Sequence, residues 1–215
     1  MKKDNYLNKI AESKKPFIIY KSNKGFDLFT DFSKKIILSN RNIENFINNS
    51  TKKKLKNKET DLYIGFFGYE ILNNLIDVKI KKQKGLKFPK GIFYKPETKK
   101  KLSNKLNYKS TENLESKGTF NVNLNKVSYK NIFNKFKKKI KLGETYQIKI
   151  CTKYRKNSQI DALDFFCRLT KSNMAPEAFM INDKDYSIIS CSPENLITKT
   201  KNIISTKPIA GTLKK

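Results

Sequence analysis

Phe179-Met-Ile-Asn-Asp-Lys-Asp-Tyr-Ser-Ile-Ile-Ser-Cys-Ser-Pro-Glu-Asn-Leu196 and, farther on, Lys207-Pro-Ile-Ala-Gly-Thr212 are the two runs on which the reading of this chain turns. They predict a strand ending in Ser192-Pro193-Glu194, a short hairpin, and a second strand entering Pro208-Ile209-Ala210-Gly211-Thr212. Proline fixes backbone geometry in the Ser-Pro-Glu turn, and the Glu194 carboxylate can accept main-chain N–H bonds. Gly211 has no Cβ and lets another molecule come close to the main chain, while Thr212 offers a hydroxyl and an N–H. On the residues alone, a strand-end turn explains the segment as well as a binding role does.

Immediately upstream the patterning is sharp. Tyr129, Ile132, Phe133, Phe136 and Ile140 recur at helical spacing, with Ser128 as N-cap and Gly143 as the stop. Tyr146 to Tyr154 alternates with period two and predicts a half-buried strand. Asp161 is placed to cap a second helix through Leu163, Phe166 and Cys167 to Thr170.

Farther back, Phe17 to Tyr20 and Lys35 to Leu38 are short apolar runs closed by turn residues, and Asn42 to Asn49 has the pattern of a short helix. The charge run over Lys52 to Lys58 reads as a solvated loop. Asp61 to Glu70 sets apolar and aromatic residues around Gly65 and Gly68, which in a strand permit a bulge or a close backbone approach. A helix is expected over Ile71 to Ile76 and a strand over Phe88 to Tyr94. The polar stretch from Lys99 to Gly118 reads as a linker. The division expected is an N-terminal region over 1–100, a linker over 101–118, and a second region from 119 to 215.

Composition narrows the function classes. With 37% hydrophobic and 12% aromatic residues in 215 positions, the chain has the means to build a core. Its net charge of +28 raises nucleic acid as a partner, and a basic nucleic-acid-binding module is the rival reading. Against it, only Arg41, Arg155 and Arg168 are arginines, although bidentate phosphate and guanine recognition favours Arg. No nucleic-acid-binding motif accompanies the charge, and an A/T-rich coding sequence accounts for the lysines. Specific nucleic-acid binding is therefore not expected. There is no histidine, which removes Ser-His-Asp and Cys-His arrangements. Cys151, Cys167 and Cys191 are too dispersed for a metal knuckle. The odd cysteine count and the lack of an apolar leader predict a cytoplasmic protein, and no window reaches the roughly 20 apolar residues of a membrane span.

Taken in order, Tyr129, Gly143-Glu144-Thr145-Tyr146-Gln147, Asn173-Met174-Ala175-Pro176, Ser192-Pro193-Glu194 and Pro208-Ile209-Ala210-Gly211-Thr212 resemble the opening of the catalytic domain in the chorismate-binding enzymes. The resemblance is strong over Val127 to Thr212 and looser over Asp61 to Pro96. That family includes anthranilate synthase component I and aminodeoxychorismate synthase component I. The resemblance implies an α+β fold, a two-sheet α/β sandwich of the anthranilate synthase component I type, in truncated form. It implies chorismate as substrate, Gly211 and Thr212 as its contacts, and Gln147, Ser192, Pro193 and Glu194 as residues that shape the site. For Gln147 and Glu194, a purely structural role is the competing reading.

Ala210 sets the expected branch. The typical aminodeoxychorismate synthase has a nucleophilic lysine there, whereas the anthranilate enzyme has alanine. The resemblance thus implies a lyase of tryptophan biosynthesis, fed with ammonia by a glutamine amidotransferase partner, with aminodeoxychorismate synthesis for folate as the alternative. Feedback-inhibited anthranilate synthases carry Asn-Pro-Ser-Pro-Tyr-Met where this chain has Asn173 to Ala178, and their Leu-Leu-Glu-Ser is echoed by Ile19-Tyr20-Lys21-Ser22. Ser22, Pro176, Glu177 and Ala178 are therefore the candidate regulatory positions. Their departures from the pattern predict poor inhibition by tryptophan. The family's Mg²⁺-binding glutamates and catalytic residues lie beyond the Pro-Ile-Ala-Gly-Thr segment, so none is expected within these residues, and the 215-residue chain alone is expected to be an inactive fragment.

Overall fold

The computed structural model describes residues 5–22, 24–52, 62–71, 88–110 and 118–209. They fall into two compact units, one comprising Met1–Lys109 with Ala162–Lys215 and the other Ser110–Asp161. This division differs from a boundary at 101–118. Residues 162–209 fold with the N-terminal residues because the strand Glu177–Asn182 pairs with the first strand of the chain, and Leu106, inside the expected linker, is buried in the core.

The first unit is built on a six-stranded sheet in the order β3-β4-β2-β1-β7-β8, with antiparallel neighbours throughout. Its strands are β1 (Phe17–Ser22), β2 (Gly25–Ile37), β3 (Ile64–Phe67), β4 (Gly91–Leu102), β7 (Glu177–Asn182) and β8 (Ser187–Ser192). β1 lies inside the sheet, and Phe17, Ile18 and Ile19 are all buried. A continuous apolar run is what a strand covered on both faces requires. Phe17 and Ile19 join one cluster with Leu7 of α1 (Asn5–Ser13) and with Leu163, Phe166 and Cys167 of α4 (Ala162–Ser172). Ile18 joins the other with Phe29, Ile92, Tyr94 and Ile181. A third cluster gathers Leu38, Ile43 of α2 (Ile43–Lys52) and Ile71 of the 3₁₀ turn Tyr69–Ile71.

Two local devices let the long strands pair. A Cβ on Gly65 would fall 1.9 Å from the Ile92 carbonyl oxygen, so glycine is what allows β3 to approach β4 so closely. The β2–β4 register shifts between Phe32 and Lys34, opposite Pro96. Proline has no N–H for the ladder and is tolerated at such a bulge.

The second unit contains the two-residue strands β5 (Asn121–Val122) and β6 (Tyr154–Arg155), paired with each other, and α3 (Lys126–Lys141). The helix stops as expected. Gly143, at φ +73°, donates to the Ile140 carbonyl (3.0 Å), and Glu144 N–H donates to the Lys139 carbonyl (3.1 Å), a Schellman ending. At the other end the N-cap is Asn125 rather than Ser128. The Asn125 side chain accepts the Ser128 N–H at 2.8 Å, so Ser128 is the third helical residue and the recipient of the cap. The strand expected over Tyr146 to Tyr154 is the larger correction, since only Tyr154 and Arg155 belong to a strand. Alternation marks a face, but a strand also needs a neighbour to bond, and here only β5 supplies one.

Other elements match the sequence reading closely. β1 and α2 lie where the first apolar run and the short helix are expected, α4 starts directly after Asp161, and β8 ends at Ser192 as predicted. β2, expected only over Lys35 to Leu38, starts as early as Gly25, and β4, expected over Phe88 to Tyr94, runs from Gly91 to Leu102, because the two pair with each other along their length. The antiparallel sheets and flanking helices make the α+β class that the resemblance implies. The helix expected over Ile71 to Ile76 lies, beyond Ile71, outside the described residues. Among those residues, no helix is long and apolar enough to cross a membrane.

Candidate functional site

The Ser-Pro-Glu turn leaves β8 and leads to a hairpin of β9 (Thr198–Thr200) and β10 (Ile203–Ser205). Ser192 Oγ donates to the Glu194 carbonyl at 2.7 Å, and Glu194 N–H donates back to Ser192 Oγ at 3.3 Å, so the serine closes the turn around Pro193. The Glu194 carboxylate then accepts the Ile209 N–H at 3.2 Å. That contact closes the base of the hairpin and fixes the main chain one residue before Ala210. Glu194 thus holds backbone. Ala210, Gly211 and Thr212 lie outside the described residues. Gln147 is exposed on a loop of the second unit, its carbonyl accepting Thr145 Oγ1 at 3.2 Å.

Pairing of β1 with β7 brings Glu177 beside Tyr20 and the Ala175 carbonyl within reach of Lys21, while Ser22 bonds elsewhere. Phe179 lies opposite Tyr20 in that ladder. Glu177 accepts the Tyr20 hydroxyl at 2.9 Å through Oε2 and the Asn195 side-chain amide at 3.0 Å through Oε1. Lys21 donates its ammonium to the Ala175 carbonyl. Ser22 Oγ donates to the Gly25 carbonyl (3.2 Å) and accepts from Lys101 (3.0 Å). Ala178 is core, while Pro176 is exposed. Burial and then the neighbouring Glu177 carboxylate push the Tyr20 hydroxyl up to about 12, so it stays a neutral donor. Sequence reasoning named Tyr20 only within the Ile19-Tyr20-Lys21-Ser22 echo and did not single out Asn195. Tyr20 sits 157 residues from Glu177, and only the strand pairing shows that they meet.

A second polar group lies at the end of β7, and a third on β2. Asp183 is buried and accepts from Lys35 (2.5 Å), from the Tyr94 hydroxyl and from the Lys184 N–H (2.8 Å). Burial pushes its carboxyl up, but these donors outweigh that and hold it below the usual carboxylate range. Asp27, also buried, pairs with Lys101 (2.5 Å) and Lys99 (3.2 Å). Each carboxylate is neutralised across strands, an architectural use of charge. Cys191 is no activated nucleophile, because burial raises its thiol against the pull of Lys21. Among the described residues, no three His, Cys, Asp or Glu side chains converge as a metal site.

A closed Ser-Pro-Glu turn that anchors the main chain leading into Ala210-Gly211-Thr212, in an antiparallel α+β frame, agrees with what matching the whole chain gives. The chain belongs to the chorismate-binding enzyme family, whose model matches residues 6–215. Among curated relatives it is 34% identical over 98 residues to anthranilate synthase component 1 of Saccharomyces cerevisiae, covering 45% of this chain and 19% of that protein. It is 30% identical over 200 residues to anthranilate synthase component 1 of Buchnera aphidicola subsp. Pemphigus spyrothecae, covering 75% of this chain and 38% of that protein. Similarity to aminodeoxychorismate synthase component 1 of Salmonella typhimurium is 30% over 91 residues, covering 42% of this chain and 20% of that protein. The chain thus spans between 19% and 38% of the length of these relatives.

Proposed function

We propose that this chain is the substrate-facing front portion of an anthranilate synthase component 1, a lyase of tryptophan biosynthesis acting in the cytoplasm. The observation that carries this reading is Ala210 within Pro208-Ile209-Ala210-Gly211-Thr212. An alanine there leaves the C2 carbon of chorismate to direct attack by ammonia, with loss of the C4 hydroxyl and elimination of pyruvate. Ammonia comes from a glutamine amidotransferase partner. Chorismate carries two carboxylates, so Gly211 would let backbone donors approach one of them, and the chain's net charge of +28 favours encounter with the dianion. Glu194 serves the substrate indirectly by fixing Ile209 N–H, and hence where the 210–212 backbone begins.

Mg²⁺ is the cofactor this reading calls for, supplying charge neutralisation at the substrate. Among the described residues no three His, Cys, Asp or Glu side chains converge to hold it, and the site's own Glu177 and Glu194 are taken up by hydrogen-bond donors. Its ligands are accordingly assigned to residues outside those described. The second reading, aminodeoxychorismate synthase component 1, is favoured by the relatives of that name at 30% and 26% identity.

Product analysis separates the two. The protein extended to the length of its relatives, incubated with chorismate, Mg²⁺ and ammonia, is expected to release fluorescent anthranilate, and the 215-residue chain alone to consume no chorismate. Accumulation of aminodeoxychorismate would move the protein to the folate branch.

A further inference from the structure

We propose that Glu177 is a positioning residue for the main chain at Pro208-Ile209, which leads into Ala210-Gly211-Thr212, its carboxylate tying strand β1 to the turn that holds Ile209. The role rests on the substrate reading of Gly211 and Thr212 given above. Glu177 is well placed to act as an anchor. It opens β7 directly opposite Ser192, the first residue of the Ser-Pro-Glu turn, and β7 is paired on both sides within the six-stranded sheet.

Its two oxygens serve two different elements, Tyr20 of β1 at 2.9 Å and Asn195 at 3.0 Å. Asn195 in turn accepts the Thr198 hydroxyl at 3.2 Å with its side-chain oxygen, so the same amide reaches from Glu177 to the start of β9. Its neighbour Glu194 takes the Ile209 N–H at 3.2 Å. The hairpin between these two anchors draws no packing from the core, because every residue of β9 and β10 is exposed. Polar contacts at its base are therefore what set its direction, and Glu177 is the one that refers them to the sheet.

A carboxylate suits this site. Two donors from two elements converge, and a group with two acceptor atoms and no donor satisfies both without either having to turn. Glutamine keeps one acceptor, and its NH₂ pairs with Tyr20 only when that hydroxyl turns to accept. Alanine would leave both donors without a partner.

The test is amide exchange and chemical shift at Ile209, read by NMR on the ¹⁵N-labelled 215-residue chain. Glu177→Ala is expected to speed Ile209 exchange several-fold and to move its amide resonance toward the position seen in Glu194→Ala, which removes the acceptor itself. Glu177→Gln should fall between Glu177→Ala and the unsubstituted chain, and it remains informative if Glu177→Ala fails to fold. Ile209 exchange unaltered in both Glu177 variants, while Glu194→Ala alters it, would overturn the proposal. Adding chorismate to the unsubstituted chain checks the underlying reading through a separate signal. Shifts confined to residues 208–212, weakened in Glu177→Gln, would support the positioning role. Their absence would remove the substrate assignment, while the Ile209 exchange alone decides whether Glu177 positions the main chain there.

Discussion

The two units of this chain use similar amino acids to opposite effect. In the sheet unit, Phe17, Ile18, Ile19, Phe166, Met180 and Ile181 are each at most 3% exposed. In the unit over Ser110–Asp161, no described side chain is buried, and Phe133, Tyr154 and Leu142 stand 46%, 66% and 75% exposed. Yet that unit contains the longest helix among the described residues, the 16-residue α3. A helix bonds its own backbone and can be closed by local caps, so Asn125 and Gly143 suffice to define it. A strand must find its partners elsewhere in the chain. That is why α3 forms without burying anything, and why the equally well patterned stretch over Tyr146 to Tyr154 does not become a strand.

The contrast is broken most directly by truncating one aromatic residue in each unit. Phe166→Ala removes a fully buried ring packed edge-on to Phe26 at 6.1 Å and should cost about 3–5 kcal/mol, a large share of the roughly 5–15 kcal/mol typical of a domain. Phe133→Ala, on the exposed stripe of α3, should stay within about 0.5 kcal/mol. Urea unfolding followed by circular dichroism measures both, and equal costs would dissolve the distinction.

Next in size is Asp183→Asn, which leaves the Lys35 ammonium without its counter-charge in the sheet unit and should cost about 1–3 kcal/mol at neutral pH. The pH dependence has a definite sign. Because the folded carboxyl is held below its unfolded value, its contribution is complete above about pH 4 and is lost as pH falls through the lower folded value. Thermal unfolding across pH 2 to 7 should therefore show a shallower acid-side loss in Asp183→Asn than in the unsubstituted chain.

The smallest effect belongs to the cap. Asn125→Ala should remove about 1 kcal/mol from α3, visible as lower ellipticity at 222 nm, with urea unfolding of the sheet unit unmoved.

What was legible in the sequence follows the same division between local and distant causes. The end of α3 at Gly143 and the end of β8 at Ser192 depend on nearby residues and could be read from them. The Asn125 cap was legible in principle, because an Asn three residues before Ser128 is as good a cap as the serine itself. The pairing of β1 with β7, and with it the meeting of Tyr20, Glu177 and Asn195, depends on residues from opposite ends of the chain. Nothing in either local pattern encodes that meeting. The polar stretch from Lys99 reads as a linker by composition, yet Lys99 and Lys101 extend β4 because their ammonium groups neutralise the buried Asp27. The family was legible because its motifs recur in order along the chain. Their juxtaposition in space was not.

Hydrogen exchange on the purified 215-residue chain, resolved by peptide mass spectrometry, tests most directly whether burial or local bonding sustains each unit. Amides of β1, β2 and β7 should exchange at least about a hundredfold more slowly than those in the middle of α3, a factor that corresponds to about 3 kcal/mol of additional opening free energy. Protection in α3 equal to that in the central strands would contradict the account, because it would show that residues 110–161 share the stability of a core that their exposed side chains do not enter.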